Sequence, residues 1–137
     1  MQACVLCREP GGQEVWTSGS CRVVVPTERD QPGLVRVVLN RHVAEMSDLD
    51  GAERDAVFGV VMAVEVAVRR LLAPDKINLA SLGNLVPHVH WHVIPRWRDD
   101  PWFPAAIWAP AVRVSPARSV PADFPQRLGE VLRVSGT

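Results

Sequence analysis

Apolar residues recur at two different periods along this chain, and the switch between them lays out a set of elements. In the first third, short apolar-rich runs occupy Glu14 to Thr17, Cys21 to Val25 and Leu34 to Leu39, separated by Gly-Ser and by Asp30-Gln31-Pro32-Gly33. Runs bounded in this way predict antiparallel strands joined by turns. After Asp50 the period lengthens: Val57, Val60, Val61, Val64, Val68 and Leu71 fall at helical spacing behind Asp50-Gly51-Ala52-Glu53. An N-cap carboxylate with a Glu three positions on is a helix-opening signal, and Pro74 ends the pattern. Arg69 and Arg70 sit in the last turn, where the helix dipole favours cations. Lys76 to Ser81 returns to strand character, Leu82 to Pro87 reads as a tight loop, and His88 to Ile94 reads as a strand closed by Pro95. Five strands with one long helix between the third and fourth predict an antiparallel α+β domain rather than alternating βαβ units.

From Asp99 onward the texture changes. Six of the twelve prolines lie there, together with Trp102, Phe103 and Trp108. The expectation is a single domain over 1–137, with a core of about 4–100 and an irregular, aromatic-packed strap over 101–137. A short helix from Asp123 to Arg133 is expected near its end, followed by fraying over Val134 to Thr137. The Trp and Phe residues could line a pocket or a contact between subunits, or simply pack.

Composition narrows the function classes. The chain has 137 residues, with 15 basic and 15 acidic side chains and a formal charge of zero. Such a balance offers no field for holding long nucleic acid or an anionic membrane, but a small charged ligand needs only local charge. The longest apolar run, Ala56 to Val68, contains Glu65 and is too short to span a bilayer. Met1-Gln2-Ala3-Cys4 does not open a signal peptide. Three cysteines, with Cys4 and Cys7 as a C-x-x-C pair and Cys21 left over, do not make a disulfide framework and point to a reducing, cytoplasmic setting.

The sharpest feature is His88-Val89-His90-Trp91-His92. On a strand this alternation directs three imidazoles to one face and the apolar side chains, Trp91 among them, to the core. His88 and His92 are then about 13 Å apart at the backbone. Two ligands so far apart cannot both reach one metal ion at about 2 Å, so the three histidines must divide their work.

The run His88-Val89-His90-Trp91-His92-Val93-Ile94 resembles the His-φ-His-φ-His-φ-φ signature of the histidine triad (HIT) superfamily of nucleotide hydrolases and transferases. Cys4-x-x-Cys7, the Pro32-Gly33 turn, Asn40-Arg41-His42-Val43 and the closing Ile94-Pro95-Arg96 are similar to that family too, so the resemblance covers roughly Cys4 to Asp100. It implies a HIT-like five-stranded sheet domain that pairs into a homodimer. It also implies that His90, the central histidine, is the nucleophile toward a nucleotide α-phosphorus, forming a nucleotidyl-histidine intermediate. His92 would act beside it as catalytic partner and phosphate ligand. Asn84 matches the place where relatives carry a Gln that orients phosphate or water.

Three positions depart from the pattern. Leu34 stands where many relatives have the His of Pro-Gly-His. Leu85 replaces a Ser after the loop Gln, and Pro26 stands near an Asp that holds ribose hydroxyls. All three bear on nucleoside recognition.

The C-x-x-C pair has three readings: a redox pair, for which no thioredoxin-like βαβ pattern follows, two inert residues, or half of a structural zinc site, which needs four N/S ligands. The resemblance implies the last, with Cys4, Cys7, His42 and His88 as the ligand set. Cys21 is expected in the core. Arg96 and Arg98 could steer an anion or be solvated, and Asp99 and Asp100 are expected to serve a loop or cap. The resemblance thus implies an enzyme acting on a small nucleotide phosphoanhydride or phosphoramidate, with no organic cofactor. The alternative is a zinc-stabilised nucleotide-binding or sensing protein with little catalysis.

Overall fold

A computed structural model describes residues 3–27, 31–116 and 118–135 of the chain. A one-turn helix α1 (Val5–Arg8) leads into β1 (Gln13–Thr17), β2 (Cys21–Val25) and β3 (Val35–Leu39). A 3-10 turn at Met46–Asp48 precedes the long helix α2 (Gly51–Leu72), followed by β4 (Lys76–Ala80), β5 (His90–Arg96) and α3 (Phe124–Val134). The strands form one antiparallel sheet in the order β1-β2-β3-β5-β4. This is the α+β, five-stranded architecture expected from the pattern, with α1 and the 3-10 turn added.

Strand alternation sorts the sheet into two faces. Val23, Val35, Val37, Leu39 and Val93 turn to one side and pack against Val57, Val60, Val61, Val64, Ala67 and Val68 of α2. Phe124, Leu128 and Leu132 of α3 join this same core, so the helical end of the tail belongs to the main core and not to the strap. Gly129 makes that approach possible, because a Cβ there would meet the Val15 carbonyl oxygen at 2.7 Å. Asp50 caps α2 by accepting from the Glu53 N–H. Glu53 turns its own carboxylate to Arg41 at 2.6 Å instead of closing a reciprocal box. Ala73, in the left-handed conformation, and Pro74 end the helix.

The opposite face carries Val24, Arg36 and Val38, then His90, His92, Ile94 and Arg96 along β5. Leu6 of α1 packs on Val24 and Val38, while Leu34, Ile94 and Ile107 form a small apolar cluster with Trp102. The strap therefore crosses the histidine side of the sheet. Its anchor is Arg96, which is 1% exposed. The Arg96 guanidinium donates to both Asp100 carboxylate oxygens and to Asn78. Asp100 also accepts from the Trp102 and Phe103 N–H groups. Burial alone would raise the Asp100 carboxyl, but these donors outweigh it and hold it below its ordinary value.

Two boundaries differ from expectation. Pro95 does not close the last strand, which runs on to Arg96. The Arg96 carbonyl accepts from Asp75 on the β4 side, so the Pro95 nitrogen points toward β3, whose pairing ends at Val35↔Val93. The missing N–H falls where no ladder bond is needed. His88 does not lie on the strand: its N–H turns back to the Val86 carbonyl, and β5 begins at His90. Gly33 holds the turn into β3 at φ +82°, and a Cβ there would meet Leu72 at 2.6 Å.

Candidate functional site

Two polar clusters lie on the histidine side of the sheet, and the residues just before β5 join them. The first gathers Cys4, Cys7, His42 and His88, with one ligand atom from each lying within 4.8 Å of every other. The His42 and His88 Nδ1 atoms are 3.3 Å apart, and the Cys4 and Cys7 sulfurs lie 3.4 and 3.5 Å from His88 Nδ1. Cys7 is also 3.4 Å from His42 Nδ1. A tetrahedral zinc site with bonds of about 2.05 Å to nitrogen and about 2.3 Å to sulfur has edges of about 3.3 Å between nitrogens and about 3.6 Å between nitrogen and sulfur. The donor set fits that metal in element, and the four spacings given match these edges.

Arg22 holds the C-x-x-C segment in place. It is buried in β2 and donates to the carbonyls of Leu6, Glu9 and Pro10 and to Asn40, so a cation caps the C-terminal end of α1. His88 is fully buried, and its Nε2 lies 2.6 Å from the Leu39 carbonyl. That oxygen can only accept, so the ring proton sits on Nε2 and Nδ1 faces the cluster. Burial lowers the His88 pKa, and neighbouring His42, Arg22 and His90 act the same way against the raising effect of the Leu39 carbonyl. A neutral imidazole is the form a metal binds.

The second cluster belongs to a cavity of about 360 Å³ lined by Val5 and Leu6, Arg36, Leu82 to Val86, His90, His92 and Trp108. Its size suits a small ligand. His90 Nδ1 lies 2.6 Å from the His88 carbonyl oxygen, so it too carries a proton and leaves the Nε2 lone pair available. The His90 and His92 rings meet edge to face at 5.1 Å between centroids, and Trp108 meets His92 in the same way at 5.4 Å.

The structure thus brings Asn84, His90 and His92 to one cavity and Cys4, Cys7, His42 and His88 to one cluster. Of the departures, Leu85 stands 94% exposed at the cavity rim, Leu34 is buried under the strap with Ile94 and Ile107, and Pro26 does not line the cavity. Cys21 is core, with burial raising its thiol pKa. Trp97 stacks beneath the Arg118 guanidinium. Trp91 leans on the helix-side core and on Phe58. Sequence reasoning missed Arg36 and assigned Trp108 no definite place. The alternation of β3 could have found Arg36, because Val35 and Val37 on either side of it are core.

The chain belongs to the HIT domain family, whose model matches residues 10–99. It is 32% identical over 74 residues to the asymmetrical bis(5'-nucleosyl)-tetraphosphatase of Schizosaccharomyces pombe, a match covering 50% of this chain and 41% of that protein. It is 30% identical over 78 residues to an AP-4-A phosphorylase of Mycobacterium tuberculosis, covering 53% of this chain and 40% of that one. The chain therefore spans about two-fifths of the length of these relatives. A histidine triad protein from Sinorhizobium meliloti superposes with a TM-score of 0.74 at 26% identity, covering 95% of this chain and 98% of that one. A zinc-bound histidine triad family protein from Mycobacterium smegmatis shares the fold with a TM-score of 0.67 at 18% identity, covering 98% and 96% of the two chains. Among the described residues no helix is long and apolar enough to cross a membrane.

Burial, aided by the nearby His90 and Arg36, lowers the His92 pKa from 6.5 to about 4. Between those values the unfolded chain binds a proton that the folded chain refuses, so stability falls as pH drops through this window. Denaturant unfolding at a series of pH values should show His92 contributing a loss on the order of 2 kcal/mol. His92→Gln should remove that part of the slope. Identical slopes for the two proteins would contradict a buried, neutral His92.

Proposed function

We propose that this chain is a histidine triad nucleotide hydrolase or transferase, acting on a nucleotide phosphoanhydride or phosphoramidate such as a dinucleoside polyphosphate or an adenylate phosphoramidate. One observation carries the reading: the His88 carbonyl fixes the His90 proton on Nδ1, leaving a lone pair on Nε2 of an imidazole that lines the cavity. That nitrogen forms a bond to the α-phosphorus as the P–O or P–N bond opposite breaks. The leaving group takes the bonding electrons and a proton from water. A water molecule or another acceptor then attacks the phosphorus, releases its proton to solvent, and returns the electron pair to Nε2. The His92 ring and the Asn84 amide would donate to phosphoryl oxygens as charge builds on them. The two relatives' names, a tetraphosphatase and a phosphorylase, support the substrate class and leave the acceptor open.

Replacing His90 by Ala should lower turnover of diadenosine tetraphosphate or adenosine 5'-phosphoramidate by about a thousandfold or more. Intact-protein mass measurement after mixing with substrate should show an adenylyl adduct on the wild type alone. Unchanged turnover in His90→Ala would overturn the mechanism. Saturable nucleotide binding without adduct or turnover would favour the second reading, a zinc-stabilised nucleotide binder, which the apolar Leu34 and Leu85 support.

Zinc is the proposed occupant of the Cys4, Cys7, His42 and His88 set, supported by the tetrahedral spacing of the donors. Its part is structural: it would fix the ring whose own carbonyl orients His90. A homodimer is proposed as well, supported by the exposed Phe58, Met62 and Val66 along α2 beside Leu79 on the edge strand β4, a surface that a second copy could bury. Elemental analysis of protein purified without chelator should give about one zinc per chain. The Cys4→Ser, Cys7→Ser double variant should lose it and unfold at lower denaturant. A zinc-free wild type, or zinc retained in that variant, would contradict the site.

A further inference from the structure

Resting on this reading of the His90 cavity, we infer that Arg36 is its phosphate-binding cation and that it selects nucleotides carrying a second phosphate beyond the one at His90. Arg36 lies on β3 directly across from His92, while His90 faces Val38. Cross-strand partners on one face of an antiparallel pair are near neighbours. Arg36 lines the cavity, and its Nη1 donates to the Gly11 carbonyl at 3.3 Å. Across the strand pair, the Arg36 charge adds to burial and to His90 in keeping His92 deprotonated.

The cavity has few other means of holding an anion. Its described walls are Val, Leu, Gly, Asn, His and Trp residues together with Arg36, which brings a permanent charge. His92, with its pKa near 4, is neutral at pH 7. The His92 ring and the Asn84 amide can serve the α-phosphate as neutral donors, but each further phosphate brought against such walls loses hydration and needs a counter-charge close by. A guanidinium supplies that charge together with a fork of donors matched to phosphoryl oxygens. Leu34 and Leu85 bring no polar group to the site, which shifts the anion-holding role further onto Arg36.

Position along the sheet gives the selectivity. With the α-phosphorus at His90, Arg36 stands at the level of His92, about 6.6 Å further along the strand. That offset favours a contact with the next phosphate of a polyphosphate chain. A phosphoramidate, whose leaving group is an amine, has no group to offer there.

The experiment compares kcat/KM for diadenosine tetraphosphate and adenosine 5'-phosphoramidate in wild type, Arg36→Met and Arg36→Lys. In Arg36→Met the polyphosphate value should fall by about ten- to a hundredfold, while the phosphoramidate value changes little. Arg36→Lys, which keeps the charge and loses the fork, should lie between and guards against a misfolded Met variant. Equal losses on both substrates, or none, would overturn the inference. Calorimetric binding of ATP and of AMP to His90→Ala, with and without Arg36→Met, separates this from the catalytic reading, because it needs no turnover. ATP affinity falling at least tenfold with AMP affinity nearly unchanged supports the Arg36 contact even if His90 proves not to be the nucleophile. Unchanged ATP affinity overturns it even if His90 is.

Discussion

His88 has no freedom to turn, and the chemistry beside it depends on that. Its Nε2 proton is taken by the Leu39 carbonyl, its Nδ1 sits among Cys4, Cys7 and His42, and its own carbonyl takes the His90 Nδ1 proton. One buried residue thus ties the end of β3, the N-terminal C-x-x-C segment and the start of β5 into a single unit. A shift of the His88 backbone would alter both the donor cluster and the tautomer of His90. The two clusters are coupled through one peptide group and not through a long path.

The rest of the fold keeps this junction rigid from both sides. Helices α2 and α3 press the sheet from behind, and Arg22 locks α1 on the front by collecting the carbonyls at its C-terminal end. Further along the same face, the Arg96–Asp100 pair pins the base of the strap, and Trp108 comes to rest against His92. The strap forms part of the cavity wall. Sheet and strap together bury His92, which is why its ring stays neutral.

Much of this was legible in the sequence because it rests on local periodicity. The 3.6 spacing of valines gave α2 its buried face, Asp50 and Pro74 marked its ends, and His90 and His92 followed from strand alternation together with the family signature. What was not legible depends on tertiary placement. Pro95 could remain within β5 because of which neighbour its nitrogen faced, a property of sheet order. His88 left the strand because its backbone turned to Val86 and its ring to the cysteines. Arg96 could steer an anion or be solvated on its pattern alone, and it does neither because Asp100 and Asn78 enclose it. Arg36 stayed hidden among valines, since a single charge in a strand pattern does not say which face will hold a cavity.

The central claim, that the His88 carbonyl fixes the proton of His90 on Nδ1, can be read directly from the imidazole nitrogens. Long-range ¹H–¹⁵N correlation spectra of the folded protein at mildly alkaline pH, assigned by comparison with His90→Ala, should show His90 with a protonated Nδ1 and a bare, pyridine-like Nε2. A His90 protonated on Nε2, or averaging between the two tautomers, would contradict it.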